Sequence, residues 1–368
     1  MSEALRPSPD RLYILDVLRG IAALSVVLWH WQHFFYQGNA PQDFDRERQP
    51  LFQLLALFYQ HGSLAVELFF CISGFVFFWL FGRKVAEGAI TPMRFFIDRF
   101  SRLYPLHILT FALVAALQLL YLQNHAAYFV YQANDLYHAL LNVLLVPAWG
   151  FETGWSFNAP IWSVSVEVLL YAVFFMVFRC GRASLPLIAG LIALGVALHP
   201  QYFKLGSGIL TFFCGGGAYL VLARSIGRFG AKRSLAISAV AAILAWACAW
   251  IAPSLNILVL KGIVFPLSVA ALAAVGFAYR DCLKPFAAIG DLSYSSYLLH
   301  FPLQLLFVLA VDGLGYGRGI FYSPWMLGLF MAVLIPLSLA SHRLFEFPIQ
   351  QVLRSMFARR SAGILNPG

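Results

Sequence analysis

Apolar residues along this chain fall into blocks of about 20, the length a helix needs to cross the roughly 30 Å hydrocarbon core of a bilayer. Blocks of this kind lie near residues 12–35, 61–82, 103–123, 160–179, 184–199, 205–223, 234–252, 255–279, 293–311 and 324–345. The pattern predicts an all-α, polytopic integral membrane protein with about ten transmembrane helices. The fifth block is short, and the second can begin as early as Leu51. Residues 136–146 are too few to cross and read as an interfacial or re-entrant piece. Polar tails at about 1–11 and about 349–368 flank the blocks, leaving a single transmembrane domain with no repeat of fixed period.

Composition agrees with the pattern and excludes other classes. Apolar residues make up 61% of the chain and charged residues 11%, whereas soluble domains run at roughly 45–50% and about 25%. A water-soluble enzyme and a disordered chain are both excluded. The first block carries Asp16 and Arg19 and runs past signal-peptide length, so it reads as a retained helix. Cys71, Cys180, Cys214, Cys248 and Cys282 show no paired spacing that would mark a metal site or a disulfide framework.

The net charge of +9 reads as topology rather than as nucleic-acid affinity, because Lys and Arg concentrate in cytoplasmic loops. With both termini in the cytoplasm, nineteen of the 25 basic residues fall on that side. They include Arg6, Arg94, Arg99, Arg102, Arg182, Arg359 and Arg360. Arg46, Arg48, Lys204, Lys261 and Arg318 fall on the other side, and Arg19 lies within the first span. The loop at 124–159 then faces outward, and it holds Tyr128, Tyr131, Tyr137, Trp149, Trp155 and Phe157 with Asp135 and Glu152. These rings suit an interfacial aromatic belt. They equally suit a platform for sugar faces, with the carboxylates accepting from hydroxyls.

Ionisable side chains inside a bilayer are costly and ask for a partner or a role. Arg19 and His30 lie eleven residues apart, within about 20° of three full helical turns, and therefore on one face. Asp16 joins that stripe and can neutralise Arg19. Glu67 and Glu167 each lie six or seven residues inside an outward-starting span, a depth similar to that of His30. A histidine with a carboxylate at one depth fits acid–base or nucleophilic chemistry, the carboxylate fixing the imidazole tautomer. Ser163, Glu167 and Tyr171 recur every four residues after Asn158, a candidate N-cap, and Pro160; such a face also serves as polar glue between helices. Arg99 and Arg102 share a helical face suited to phosphate, beyond their part in topology. Ser293, Ser296, Tyr297 and His300 form another polar face, and Ser338, His342 and Glu346 a third; their convergence points to a channel for a polar ligand.

Together these segments resemble the membrane acyltransferase 3 family. The resemblance rests on Arg19 followed eleven residues later by His30, on Leu68-Phe-Phe-Cys-Ile-Ser-Gly-Phe75, and on Arg99-Phe-Ser-Arg-Leu-Tyr-Pro105. It extends to Pro160-Ile-Trp-Ser-Val-Ser-Val-Glu167, Ser293-Tyr-Ser-Ser-Tyr-Leu-Leu-His300 and His342-Arg-Leu-Phe-Glu-Phe-Pro348, in family order over nearly the whole chain. The resemblance implies an O-acyltransferase of the bacterial cytoplasmic membrane. Its donor would be cytoplasmic acyl-CoA, most often acetyl-CoA, and its acceptor a hydroxyl of an extracytoplasmic carbohydrate or glycolipid. His30 and Glu167 would be catalytic, Arg19, Arg99, Arg102 and Tyr104 would bind the donor, and Glu67, Trp162, Ser163 and Trp155 the acceptor. No metal is implied. A secondary transporter would show similar intramembrane charges, although two pseudo-repeated halves are not evident in the sequence.

Overall fold

The computed structural model describes residues 11–251 and 257–365, without the side chains of Arg182 and of residues 358–365. The N-terminal tail with Arg6, the opening of the span expected at 255–279 and the side chains of Arg359 and Arg360 lie outside the described set. Among the described residues, nine helices are long and apolar enough to cross a membrane. They are α1 (Tyr13–Phe35), α2 (Phe52–Ala86), α3 (Pro92–Leu122), α5 (Ala159–Arg179), α7 (Phe203–Phe229), α8 (Ala231–Ile251), α9 (Ile257–Ala278), α10 (Lys284–Gly313) and α11 (Pro324–Phe357). The fifth expected block forms α6 (Ser184–Leu198), apolar but shorter. The re-entrant candidate contains the short helix α4 (Leu136–Val143). The only strands among the described residues are Tyr36–Gln37 and Ala40–Pro41, paired across a turn at Gly38.

Local signals set several helix starts. Thr91 accepts from the Arg94 amide and Pro92 follows it, so α3 begins with a capped donor and a residue that lacks one. Ser323 and Pro324 do the same for α11. Asn158 precedes Pro160 as expected, but its side chain does not cap. It donates instead to the Leu298 carbonyl at 3.0 Å, tying the start of α5 to α10.

The helices gather into two compact units. One takes the chain up to Ala22 with Leu64–Ala89 and Leu170–Asp291; the other takes Ala23–Ser63, Ile90–Leu169 and the chain from Leu292. In the first, Leu12, Leu15, Cys71, Ile72, Phe75, Val269, Ala273 and Ala274 form a common core. Here α2 and α7 approach to backbone contact. A Cβ on Gly74 would sit 1.8 Å from the Phe212 carbonyl oxygen, and one on Gly215 would sit 2.1 Å from that of Cys71. Backbone cannot yield as a flexible side chain does, so small residues are required there. Gly74→Ala or Gly215→Ala should therefore lower stability by at least the roughly 1–3 kcal/mol typical of overpacking. Gly217→Ala, with open space around its Cβ, should be tolerated. Unfolding midpoints in one detergent test this contrast.

The same unit holds a buried ion pair. Lys261, counted with the outer loops in the sequence reading, sits inside α9 in a π-helical turn at Leu260–Val264. Its Nζ lies 2.7 Å from Glu67 Oε1, with both side chains only 3–4% exposed. It also donates to Ser207 Oγ at 2.9 Å and to His199 Nε2 at 3.3 Å, so every ammonium hydrogen has an acceptor. Glu67 therefore has a cation as its partner, and the cost of burying either charge alone is avoided.

In the second unit, residues 124–159 do not remain beyond the end of α3 as the sequence reading had them. Gln118 bonds both the amide and the carbonyl of Phe129, His107 Nε2 donates to the Asn142 carbonyl at 2.8 Å, and the Tyr104 hydroxyl donates to that of Val143 at 3.0 Å. Tyr104 precedes Leu122 by 18 residues, about 27 Å of helix. The segment thus runs back along α3 instead of standing wholly beyond its end. Non-helical backbone packed along a membrane-spanning helix needs internal partners. Here side chains of α3 supply them, while Leu136, Leu140 and Leu144 remain exposed on the outer side of α4.

Candidate functional site

The centre of the second unit is a stack of imidazoles. The α-helical part of α1 ends at Trp29 and continues as a tighter 3₁₀ turn, His30–Phe35. Side chains three apart eclipse in that geometry, so the rings of His30 and His33 stack, with centroids 4.5 Å apart and planes at 28°. The His300 ring from α10 lies nearly parallel to His30, 4.9 Å away at 10°. All three histidines are buried.

Two chains of hydrogen bonds fix where the protons sit. His300 Nδ1 lies 2.6 Å from the Tyr297 carbonyl oxygen. A carbonyl only accepts, so this nitrogen carries the proton and Nε2 of the neutral ring is bare. That bare nitrogen lies 2.9 Å from His30 Nδ1, which must then be the donor. The neutral His30 ring is left with its lone pair on Nε2, where no described residue bonds it. In the second chain, the Gln304 amide donates to the His30 carbonyl at 2.9 Å and turns its oxygen to His33 Nδ1 at 3.2 Å. His33 is thereby also held as the Nδ1–H tautomer. The stacked rings present faces to one another rather than converging nitrogens, and no set of three or more metal-ligating side chains suited to a metal occurs among the described residues.

Several predicted site residues gather here. Ser163 lies 2.9 Å from the Tyr297 hydroxyl, which itself donates to the Pro160 carbonyl at 2.8 Å. Tyr131 and Phe301 meet the His33 ring edge-on, and Trp155 neighbours both Tyr131 and the buried Trp162. An aromatic path therefore leads from half-exposed Trp155 to the histidines. Asp135, a suggested hydroxyl acceptor, is engaged by the amide and ring of His138.

Others are placed differently from the sequence reading. The ring partner of His30 is His300, where that reading had Glu167; Glu167 is half-buried on α5, one turn beyond Ser163. Glu67 belongs to the first unit with Lys261. Arg19 lies 3.6 Å from Asp16, as the stripe predicted, but Asp16 also takes Arg11 at 2.5 Å. Arg99 is half-buried and Arg102 exposed near the start of α3, where Asp98 pairs with Arg354 at 2.9 Å. Tyr104 stacks on Phe100 and spends its hydroxyl on Val143. The two polar faces of α10 and α11 meet through Ser295, outside the predicted set, which donates to Glu346 at 2.5 Å. Tyr131, one of the loop rings named as a platform for sugar faces, lines the stack, while His33 and Gln304 complete the site without having been singled out for it. Of those two only His33 carried a signal, as a second histidine one 3₁₀ turn from His30.

A helical membrane protein with a proton-ordered histidine stack is the class that this architecture defines. Across residues 12–342 the chain matches the family described as the acyltransferase domain, and it belongs to that acyltransferase 3 family. It is similar to the exopolysaccharide production protein ExoZ of Rhizobium meliloti, 29% identical over 82% of this chain and 93% of the relative. It is also similar to the acyltransferase MdmB of Streptomyces mycarofaciens, 32% identical over 48% of this chain and 41% of that protein. A third relative, protein 2 in the picA locus of Rhizobium radiobacter, is 42% identical over 29% of this chain and 46% of its own length. The chain thus spans less than half the length of the last two. No solved structure matches it.

Proposed function

We propose that this protein moves an acyl group, acetyl in the first instance, from cytoplasmic acyl-CoA to a hydroxyl of an extracytoplasmic carbohydrate. The observation that carries this reading is the bare, unbonded Nε2 of His30, kept so by His300 and the Tyr297 carbonyl. A buried imidazole with an ordered proton and an available lone pair is what either proton abstraction or attack on a thioester requires. The names of ExoZ, for exopolysaccharide production, and MdmB, an acyltransferase, support the substrate class and the reaction.

In this reading both termini are cytoplasmic, and Arg99 and Arg102 bind the CoA phosphates with Tyr104 beside them on α3. Trp155, Trp162 and Ser163 receive the sugar beside the histidines. Glu167, one turn beyond Ser163 on α5, is assigned to the acceptor side of this site, so Glu167→Gln should slow transfer while leaving donor affinity unchanged. Arg99→Ala and Arg102→Ala should each weaken acetyl-CoA binding by about 10- to 100-fold, the worth of a charge-assisted hydrogen bond. Lysine at either position should restore it only in part, for want of the planar fork. Calorimetric titration of the purified variants with acetyl-CoA checks this, and parent-like affinity in both alanine variants would reduce these arginines to topology.

The whole reading is tested by incubating the purified protein in lipid nanodiscs with acetyl-labelled acetyl-CoA and a panel of bacterial envelope polysaccharides. Release of CoA with label in alkali-labile ester on a glycan is expected. A transporter would leave the thioester intact.

A further inference from the structure

We propose that His33 is a second catalytic base, and that transfer proceeds in two steps through an acyl group carried on His30. The proposal rests on the acyltransferase reading and extends it. A single imidazole has one basic lone pair. Once His30 Nε2 is bonded to an acyl carbon, it can no longer deprotonate the incoming hydroxyl. His300 cannot take over, because its Nε2 is already occupied by the His30 Nδ1 proton. His33 is placed for the task. Its Nδ1 proton is committed to Gln304, leaving Nε2 bare and without a partner among the described residues. Its ring faces that of His30 at 4.5 Å. A hydroxyl oxygen can contact a base at about 2.8 Å and a carbonyl carbon at about 3 Å together, so one acceptor oxygen can bridge the stacked rings.

In the first step His30 Nε2 attacks the thioester carbon, the N–C bond forms, and the C–S bond breaks with its electron pair leaving on the CoA thiolate. The thiolate takes a proton from solvent. The positive charge of the acyl-imidazolium is shared along the Nδ1–H contact with His300. In the second step the acceptor hydroxyl gives its proton to His33 Nε2 while its oxygen attacks the acyl carbon. The ester C–O bond forms, the N–C bond breaks, and its electron pair returns to His30 Nε2. His33 then releases the proton to solvent, so the proton taken up by the thiolate is balanced. Gln304 serves both steps as a positioning residue, since one side chain holds the His30 backbone and the His33 ring.

The test uses nanodisc-embedded full-length protein, acetyl-labelled acetyl-CoA, and methyl β-D-glucopyranoside as acceptor probe. His33→Phe keeps a flat ring in the stack without a lone pair, and His33→Gln is the second variant. Both should release one equivalent of CoA per protein within about twofold of the parent rate and retain the label as a hydroxylamine-sensitive adduct on His30. Transfer onward to the glucoside should fall by about 10²-fold or more, the scale of a lost general base. The proposal is overturned if the parent labels the glucoside and the His33 variants do so at the same rate, or if both variants fail to form the adduct. If the parent itself neither releases CoA nor labels the glucoside, the acyltransferase reading falls with it.

Discussion

Replacement of His30 by alanine is expected to abolish acyl transfer while leaving the protein folded in the membrane. The substitution removes a nitrogen that is buried, tautomerically fixed by His300 and left unbonded, the one assigned to attack the thioester. Loss of a positioned acid–base group costs about 10²–10⁴-fold, and loss of a nucleophile leaves no route to a covalent intermediate. A fall of at least about 10³-fold is therefore expected in label transfer from acetyl-CoA. Binding of acetyl-CoA should persist, because the arginines of α3 are untouched. Folding should survive the lost packing, since Trp31, Phe34 and Phe321, all fully buried, remain to hold that end of α1. Near-normal transfer by the His30→Ala protein would remove His30 from the chemistry.

The second large effect is expected at His300, which touches no substrate in this account. Its Nε2 accepts the His30 Nδ1 proton, and its own proton is anchored on the Tyr297 carbonyl. Without that acceptor the His30 ring is free to rotate or to adopt the other tautomer, which places a proton where the lone pair is needed. His300→Ala should lower transfer by about 10²-fold, in line with the loss of groups that orient a catalytic imidazole. His300→Gln offers an amide oxygen to the same proton and should recover part of the rate. Steady-state transfer rates for the two variants distinguish these outcomes. Equal losses in both would mean that His300 acts through packing rather than through its hydrogen bond.

The transmembrane blocks were legible because apolar runs near 20 residues have one solution in a bilayer, and α2 and α6 behave as their patterns indicated. His30 was legible as an ionisable group on the face of Arg19. His33 was not, because three residues on an α-helix are about 60° out of register, and only the switch to a 3₁₀ turn after Trp29 brings the two rings together. Glu167 was read as the ring partner because it shares a bilayer depth with His30, whereas His300 showed only as part of a polar face on its own helix, and spacing along one helix says nothing about which face meets another helix. Lys261 was misplaced for a related reason: charge counting treats every lysine near a span end as a loop residue, and a buried partner such as Glu67 is visible only in three dimensions. The return of residues 124–159 along α3 depended on His107, Tyr104 and Gln118 offering side-chain partners to a non-helical backbone, a pairing that local sequence does not encode.

In the proposed reaction a hydrogen-bonded relay leaves Nε2 of His30 as the reacting lone pair. It is tested most directly by solid-state ¹⁵N spectroscopy of histidine-labelled protein in lipid bilayers at neutral pH, with the His30 and His300 signals assigned by their loss in single variants. Both rings are expected to be neutral and to carry their proton on Nδ1, and His300→Ala is expected to disturb the His30 signal. A proton on Nε2 of His30, or a His30 signal indifferent to His300, would contradict the relay.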